Sequence, residues 1–296
     1  MMDIRLILNG KKAGIEMLRQ AIFQARESGR IDVRVTWEGG DVERFVSEAI
    51  QEGCQRIMIG GGDGSVKEVV DAMMKFEEAK RPELAILPLG TANDFATACD
   101  IPNDYSQALS LALNGQAVPV DCIKANDEHF MNVASGGFGA YVTANTPVEL
   151  KNFLGGGAYT LHGLLRTLDF KPNDGILKIP DQTLTGRVIV SAVCNGRQAG
   201  GGQQLAPNAK INDGLMDVVA WLETPAENLI QTIKEMFNPE LSGEYVKRFS
   251  VPWAEWESES PMPINLDGEP IETKRIRFEV VPKAIKLVLP ASAEII

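Results

Sequence analysis

Residues 60–65 read GGGDGS, four glycines around one aspartate with a serine closing the run. Glycines at 60, 61, 62 and 64 after a short apolar strand let the backbone turn tightly and aim N–H groups at an anion, and the following helix adds the positive end of its dipole. Ser65 followed three residues later by Glu68 has capping-box spacing, which predicts Ser65 as the helix N-cap. The spacing is not that of a P-loop, because Lys67 is not preceded by glycine, nor that of the dinucleotide fingerprint, which needs glycine where Ser65 stands. A carboxylate beside phosphate is repulsive unless a metal ion lies between them or it accepts a proton from an attacking hydroxyl. Asp63 in this run therefore points to phosphoryl transfer. The plainer alternative is a strand-to-helix turn using glycine and aspartate for backbone reasons, but four glycines in five residues exceed what such a turn needs.

The elements that must carry this turn alternate strand and helix. Ile4 to Leu8 reads as a buried strand, Ile15 to Ala25 has helical spacing, Ile31 to Val35 alternates, and Asp41 precedes a helix with Val42, Phe45, Val46, Ala49 and Ile50 on one stripe. Ile57 to Ile59 enters the glycines; Val66, Val69, Val70, Met73 and Met74 then fall at helical spacing, and Leu84 to Leu87 is a further strand. This alternation predicts an α/β domain, a doubly wound parallel sheet with helices on both faces. Ligands of such sheets bind outside the carboxyl ends of the strands. Asn9-Gly10, Thr36, the glycine run and the stretch from Gly90 to Asp94 should therefore share one edge. Thr36 and Thr91 would offer hydroxyls to base, ribose or phosphate there, while Asn93 or Asp94 could cap a short helix. An ordinary strand-end threonine accounts for Thr36 equally well.

From about Val118 the pattern changes to strand-like stretches bounded by turn residues: GRVIVSAVCNG, DGLMDVVAW, EYVKRFSV, RIRFEVV and AIKLVLP. Helical pattern remains only near Pro147 to Leu168 and Pro225 to Phe237. The expected division is an α/β nucleotide-binding domain over residues 1–122 and an all-β domain over 123–296, whose last strand could return to the first domain.

With 29 Lys and Arg against 40 Asp and Glu, the net charge of −11 disfavours nonspecific nucleic-acid binding. The apolar run near the N-terminus is too short for a signal peptide or a membrane span, so a cytoplasmic location is expected. Cys54, Cys99, Cys122 and Cys194 form no Cys-x-x-Cys pair, which argues against zinc and against a disulfide framework. His129 and His162 lack triad partners and read as core or surface residues.

GGGDGS, LPLGTANDF, NGRQAGGGQQLAP, INDGLMDV and INLDGEP, in this order, resemble the diacylglycerol kinase catalytic-domain family, most closely its bacterial YegS-like lipid kinases. The resemblance implies an N-terminal nucleotide-binding domain, a C-terminal β-sandwich and an active site in the cleft between them. It implies ATP-dependent phosphorylation of a primary hydroxyl on a glycerolipid of the phosphatidylglycerol or diacylglycerol class. The family's ATP-binding role carries over to Thr36, to Gly62, Asp63, Gly64, Ser65, Val66, Lys67 and Glu68, and to Thr91. In INDGLMDV it implies a magnesium site made by Asp213 with the backbone carbonyls of Lys210 and Leu215, with calcium as the alternative ion there. In INLDGEPI it makes Glu269 the proton acceptor at the lipid hydroxyl, with Asp63 competing for that role and assigned to the phosphate and metal side. Without the resemblance, INDGLMDV is a plain Asn-Asp-Gly turn and Asp267-Gly268 a hairpin signal.

The implied partners are a glycerolipid and, transiently, a membrane surface, although a chain of this charge is repelled by an anionic leaflet. Residues 153–170, with Lys151, Arg166 and Lys171, could lie at such an interface or simply form core. No protein partner is evident. Glycines 200–202 and Arg197 could line the cleft or form a loop between strands. Two rival functions are a kinase of a soluble substrate such as NAD and a nucleotide-sensing module without an acceptor. LGTANDF speaks against the first and the LDGE stretch against the second.

Overall fold

The computed structural model describes residues 2–137, 173–228 and 243–296, with 231, 232, 234, 235 and 238 between the last two stretches. The first half runs β1 (Asp3–Leu8), α1 (Glu16–Ala25), β2 (Arg30–Val35), α2 (Asp41–Gln51), β3 (Arg56–Gly61), α3 (Asp63–Met74), β4 (Glu83–Pro88), α4 (Asp94–Ala98) and α5 (Tyr105–Asn114). The strand pairs are parallel: Leu6 of β1 faces Val33 and Met58, and Met58 faces Ala85. Alternation sorts side chains to the two faces of the sheet. Ile4, Leu6 and Leu8 pack with Leu18 and Ile22 of α1 and with Leu109 and Leu113 of α5. Ile7, Ile57, Ile59 and Ile86 pack with Phe45 and Val46 of α2 and with Val66, Val70 and Met73 of α3. Crossovers of this kind leave the carboxyl ends of all the strands on one edge.

The second half is built from β5 (Gln116–Ala125), β6 (Glu128–Phe130), β7 (Val133–Gly137), β8 (Asn173–Ile179), β9 (Gln182–Cys194), β10 (Gln198–Ala199), β11 (Gln203–Gln204), β12 (Met216–Leu222), β13 (Val246–Val251), β14 (Trp253–Leu266) and β15 (Glu269–Leu289). Its antiparallel strands enclose a core that includes Leu177, Val188, Met216, Trp256, Ile264 and Phe278. RIRFEVV and AIKLVLP, separate stretches in the sequence, form the single strand β15. A register shift between Val281 and Ile285 breaks its pairing with β5, around Lys283 at φ 54. The Lys283 N–H freed there donates to the buried Asp121 carboxylate at 2.7 Å. Beyond the shift, β15 meets β4 in parallel at Leu287 and Leu84, so the last strand of the chain closes against the first sheet.

Ser65 is not the N-cap. Helix α3 begins at Asp63, with Gly62 at the cap in extended conformation. The Gly62 carbonyl already accepts the Val66 N–H at 3.1 Å, so the first turn closes before the capping-box position and Ser65 falls inside it. Pro147 to Leu168, and the apolar segment 153–170 with Lys151, His162, Arg166 and Lys171, lie outside the described residues. The Pro225 to Phe237 pattern is described only in part, with a 3-10 turn at Ala226–Asn228. Among the described residues no helix is long and apolar enough to cross a membrane.

Candidate active site

The strand tips are zipped together by their own backbones. Asn9 N–H donates to Gly60 O at 2.9 Å, Thr36 N–H to Leu8 O at 3.0 Å and Leu89 N–H to Gly61 O at 2.9 Å. The Thr36 hydroxyl accepts the Gly10 N–H at 3.1 Å. Gly62 and Gly90 cross so closely that a methyl on Gly90 would stand 2.5 Å from the Gly62 Cα. Only glycine permits that approach, which presses the backbones of the two turns together. Asn93, at φ 52, holds the Gly90 turn from both sides: its Oδ1 accepts the Gly90 N–H and its Nδ2 donates to the Gly90 carbonyl. Thr91 is exposed beside it.

Both oxygens of Asp63 are engaged. They accept the N–H groups of Asp94 at 3.2 Å and Phe95 at 3.0 Å, the first-turn amides of α4, whose own N-cap Asn93 supplies no side-chain bond. Asp63, the first residue of α3, thus caps the start of the neighbouring helix α4. Burial pushes its carboxyl above the usual range and the Asp94 charge adds to this, while the two amides pull the other way. The buried Asp94 carboxylate in turn accepts the Gly201 and Gly202 N–H groups at 2.9 and 2.7 Å. Glycines 200–202 all have positive φ, a conformation that side-chain-bearing residues rarely sustain. Arg197 spends its guanidinium on the carbonyls of Ala209 and Glu294.

From the second half, the β14–β15 hairpin turns on Asp267 (φ 48) and Gly268 (φ 102), with Leu266 facing Glu269. Two successive left-handed residues are what a type I′ hairpin requires. The buried Asp267 carboxylate locks this tip by accepting the N–H groups of Met131 (3.0 Å), Asn132 (3.0 Å) and Val133 (2.7 Å). Burial raises its pKa to about 7, against the pull of those three donors and with the Asp63 charge contributing.

The hairpin tip meets the glycine run. A Cβ on Gly64 would lie 3.7 Å from the Asp267 carbonyl. Lys67 Nζ lies 2.7 Å from Glu269 Oε2 and 2.7 Å from Glu128 Oε2. The Lys67 side chain is only 4% exposed, whereas both glutamates are 41% exposed. Burial works to lower the Lys67 ammonium pKa, but bonds to Glu128 and Glu269 outweigh it and leave it raised. The Glu68 carboxyl is pushed up by desolvation and by the Glu269 charge. The tertiary structure therefore gathers Gly62 through Glu68, Glu269 and, through the strand tips, Thr36 and Thr91. His129 sits behind α3, its Nδ1 3.0 Å from Asp71 Oδ1.

Lys210, Asp213 and Leu215 form a separate turn. Asp213 is exposed and its Oδ1 accepts the Leu215 N–H at 2.9 Å, while Lys210 Nζ turns to the carbonyls of Glu294 and Ile296. Gly214 N–H donates to Asp121 Oδ2 at 2.7 Å. Among the described residues no group of three His, Cys, Asp or Glu is arranged for a metal ion. The donors this turn can offer are a carboxylate and backbone carbonyls, an oxygen-only set that suits a hard divalent cation.

Residues 3–125 match the family model of the diacylglycerol kinase catalytic domain, and residues 132–289 match the YegS C-terminal NAD kinase beta sandwich-like domain. A protein of Shewanella frigidimarina named probable lipid kinase YegS-like is 50% identical over 289 residues, covering 97% of this chain and 94% of its own length. The chain belongs to the YegS-like lipid kinase family. A relative from Serratia proteamaculans with the same name is 46% identical over 98% of this chain and 95% of its own. The fold is shared with a solved diacylglycerol kinase structure from Bacillus anthracis, at a TM-score of 0.77 and 22% identity over 98% of both chains. Two domains, the second a β-sandwich of the YegS type, are thereby established. Within this kinase family's frame, sequence reasoning missed Glu128 and the capping role of Asp267 in the site's scaffold. The Asp-Gly pair at 267–268 carried a turn signal, but nothing local indicates that a carboxylate will cap a distant segment.

Proposed function

We propose that this YegS-like chain transfers the γ-phosphoryl group of ATP to a primary hydroxyl of a glycerolipid of the phosphatidylglycerol or diacylglycerol class. The observation that carries the proposal is the ion pair between Lys67, one turn into the helix after the glycine run, and Glu269, on the hairpin of the other domain. It sets a partly exposed carboxylate beside the glycine-rich turn that leads into α3. The crossing glycines fit a polyphosphate, because backbone N–H groups and the α3 N-terminus can approach it without steric cost. Magnesium bound with the nucleotide would supply neutralisation of phosphate charge.

Glu269 takes the proton from the acceptor hydroxyl as it attacks, and Lys67 fixes the carboxylate's position for that transfer. Thr36 and Thr91 bound the nucleotide along the strand tips. Asp63 acts as a positioning residue: it aligns the Gly90–Phe95 turn against the glycine run. The turn of Lys210, Asp213 and Leu215 holds a second magnesium or calcium ion apart from the nucleotide, and transient membrane contact delivers the lipid.

The test is phosphate transfer from labelled ATP to vesicles of phosphatidylglycerol or of diacylglycerol in a neutral carrier, with ATP affinity measured by calorimetry. Glu269→Gln should lower turnover about 10²- to 10⁴-fold while leaving ATP affinity unchanged. Full turnover in that variant, or no lipid phosphorylated by the wild type, would refute the assignment.

A further inference from the structure

The molecule carries four tryptophans. Trp221 and Trp256 are buried, and Trp253 is half-buried under the Arg277 guanidinium. Trp37 is 92% exposed. An indole carries a large apolar face that normally finds a partner, and this one has none among the described residues. It is also not on a loose loop. The backbone N–H groups of Trp37 and Glu38 donate to one oxygen of the Asp41 carboxylate at 2.7 and 3.1 Å, and the other oxygen of Asp41 is paired with Arg44. The backbone that presents the indole is therefore held in place from the first turn of α2.

Its position is specific. Trp37 follows Thr36 at the carboxyl end of β2, on the same edge as the glycine run. The sheet order places β1 between β2 and β3, so the β2 tip that carries Trp37 stands about 10 Å along the edge from the glycine turn, two strand spacings away. That separation suits a nucleotide whose phosphates lie on the β3 tip and whose base lies over the β2 tip. Between them the floor is the Asn9-Gly10 turn, where a Cβ on Gly10 would collide with the Thr36 carbonyl at 2.1 Å, so this stretch too is kept low. We propose that Trp37 is the stacking platform for the nucleobase, closing the far end of the site. The proposal rests on the nucleotide-binding reading above and adds to it the residue that grips the base. Stacking on an indole tolerates any base, because every base offers a π-face; the platform gives affinity for a purine or pyrimidine nucleotide over bare polyphosphate.

The test uses the full chain and three probes: magnesium ATP, magnesium triphosphate without a base, and phosphatidylglycerol vesicles. Because Trp37 is the exposed emitter, ATP should quench the long-wavelength tryptophan emission and triphosphate should not, and Trp37→Phe should abolish the quench while keeping calorimetric ATP affinity near wild type. Trp37→Ala should weaken ATP about 5- to 100-fold and leave triphosphate affinity unchanged. ATP binding of equal strength in Trp37→Ala, with no quench in the wild type, overturns the platform while leaving the kinase reading intact. An emission blue shift on vesicles with no response to ATP makes Trp37 a membrane anchor and overturns it as well. Failure of the wild type to bind ATP calorimetrically overturns both readings.

Discussion

Replacing Asp63 separates a positioning role from a chemical one. Asp63→Ala leaves the Asp94 and Phe95 N–H groups, now bonded at 3.2 and 3.0 Å, without their acceptor. Losing a capping side chain costs about 0.5–2 kcal/mol, and a hydrogen bond to a charged group contributes a net of about 1.5–3 kcal/mol. Against this, the carboxylate's own burial disfavours its charge, which is why its pKa is raised. The expected net loss is about 2–3 kcal/mol for Ala and about 1–2 kcal/mol for Asn, which keeps one acceptor and turns an NH₂ toward the other donor. The sign of the pH dependence follows from the raised pKa. The folded state holds the extra proton, so this group favours folding below the ordinary carboxylate value and loses that contribution as pH rises through its folded value. Asp63→Asn removes that slope. Urea unfolding at pH 7 and at lower pH, with kinase turnover in parallel, measures both effects. If Asp63→Ala unfolds within 0.5 kcal/mol of wild type, the cap is unimportant. If Asp63→Asn keeps its stability but loses about 10³-fold or more in turnover, the carboxylate acts on the reacting groups and the positioning argument fails.

Three further outcomes are expected. Gly90→Ala would drive a methyl into the Gly62 Cα at 2.5 Å and Asn93 Oδ1 at 2.7 Å; overpacking of this kind costs about 1–3 kcal/mol, and calorimetry should show weakened ATP binding in the folded fraction. Lys67→Met strands Glu128 and Glu269 without their shared cation beside Glu68. Because both carboxylates are partly solvated, the loss in urea unfolding should be about 1–3 kcal/mol, with partial recovery on adding Glu128→Gln. Asp41, lowered to about 2 by the Trp37 amide, then Arg44 and the Glu38 amide, stabilises the fold above the unfolded carboxylate value near 3.8 and loses that contribution as pH falls toward 2. The stability difference between wild type and Asp41→Asn should therefore be full near pH 5 and shrink below pH 4, as followed by thermal melts.

Much of the architecture is legible in local pattern. The i, i+3, i+4 spacing of Val66, Val69, Val70 and Met73 predicts the buried face of α3, and the glycine run predicts a tight turn at the tip of β3. Asp267-Gly268 predicts the hairpin that carries Glu269. The start of α3 departs from the capping-box spacing of Ser65 and Glu68, which is a side-chain signal, because the backbone closes the first turn earlier. An extended glycine at 62, pressed against Gly90, let the strand pass directly into the helix.

The amino-acid order alone determined which segments are strands and helices and which residue types stand at the strand tips, because periodicity and turn chemistry are properties of neighbouring backbone. Only the tertiary structure decided what those residues touch. Asp63 caps a helix 31 residues away, Lys67 pairs with Glu269 across 202 residues, and Lys283 leaves the β5 ladder to meet Asp121. A carboxylate or ammonium can satisfy itself with many partners, and its choice is made by which loops the closed sheet brings within three ångströms or so. That distance is a property of the packed whole and is written in no single stretch of chain.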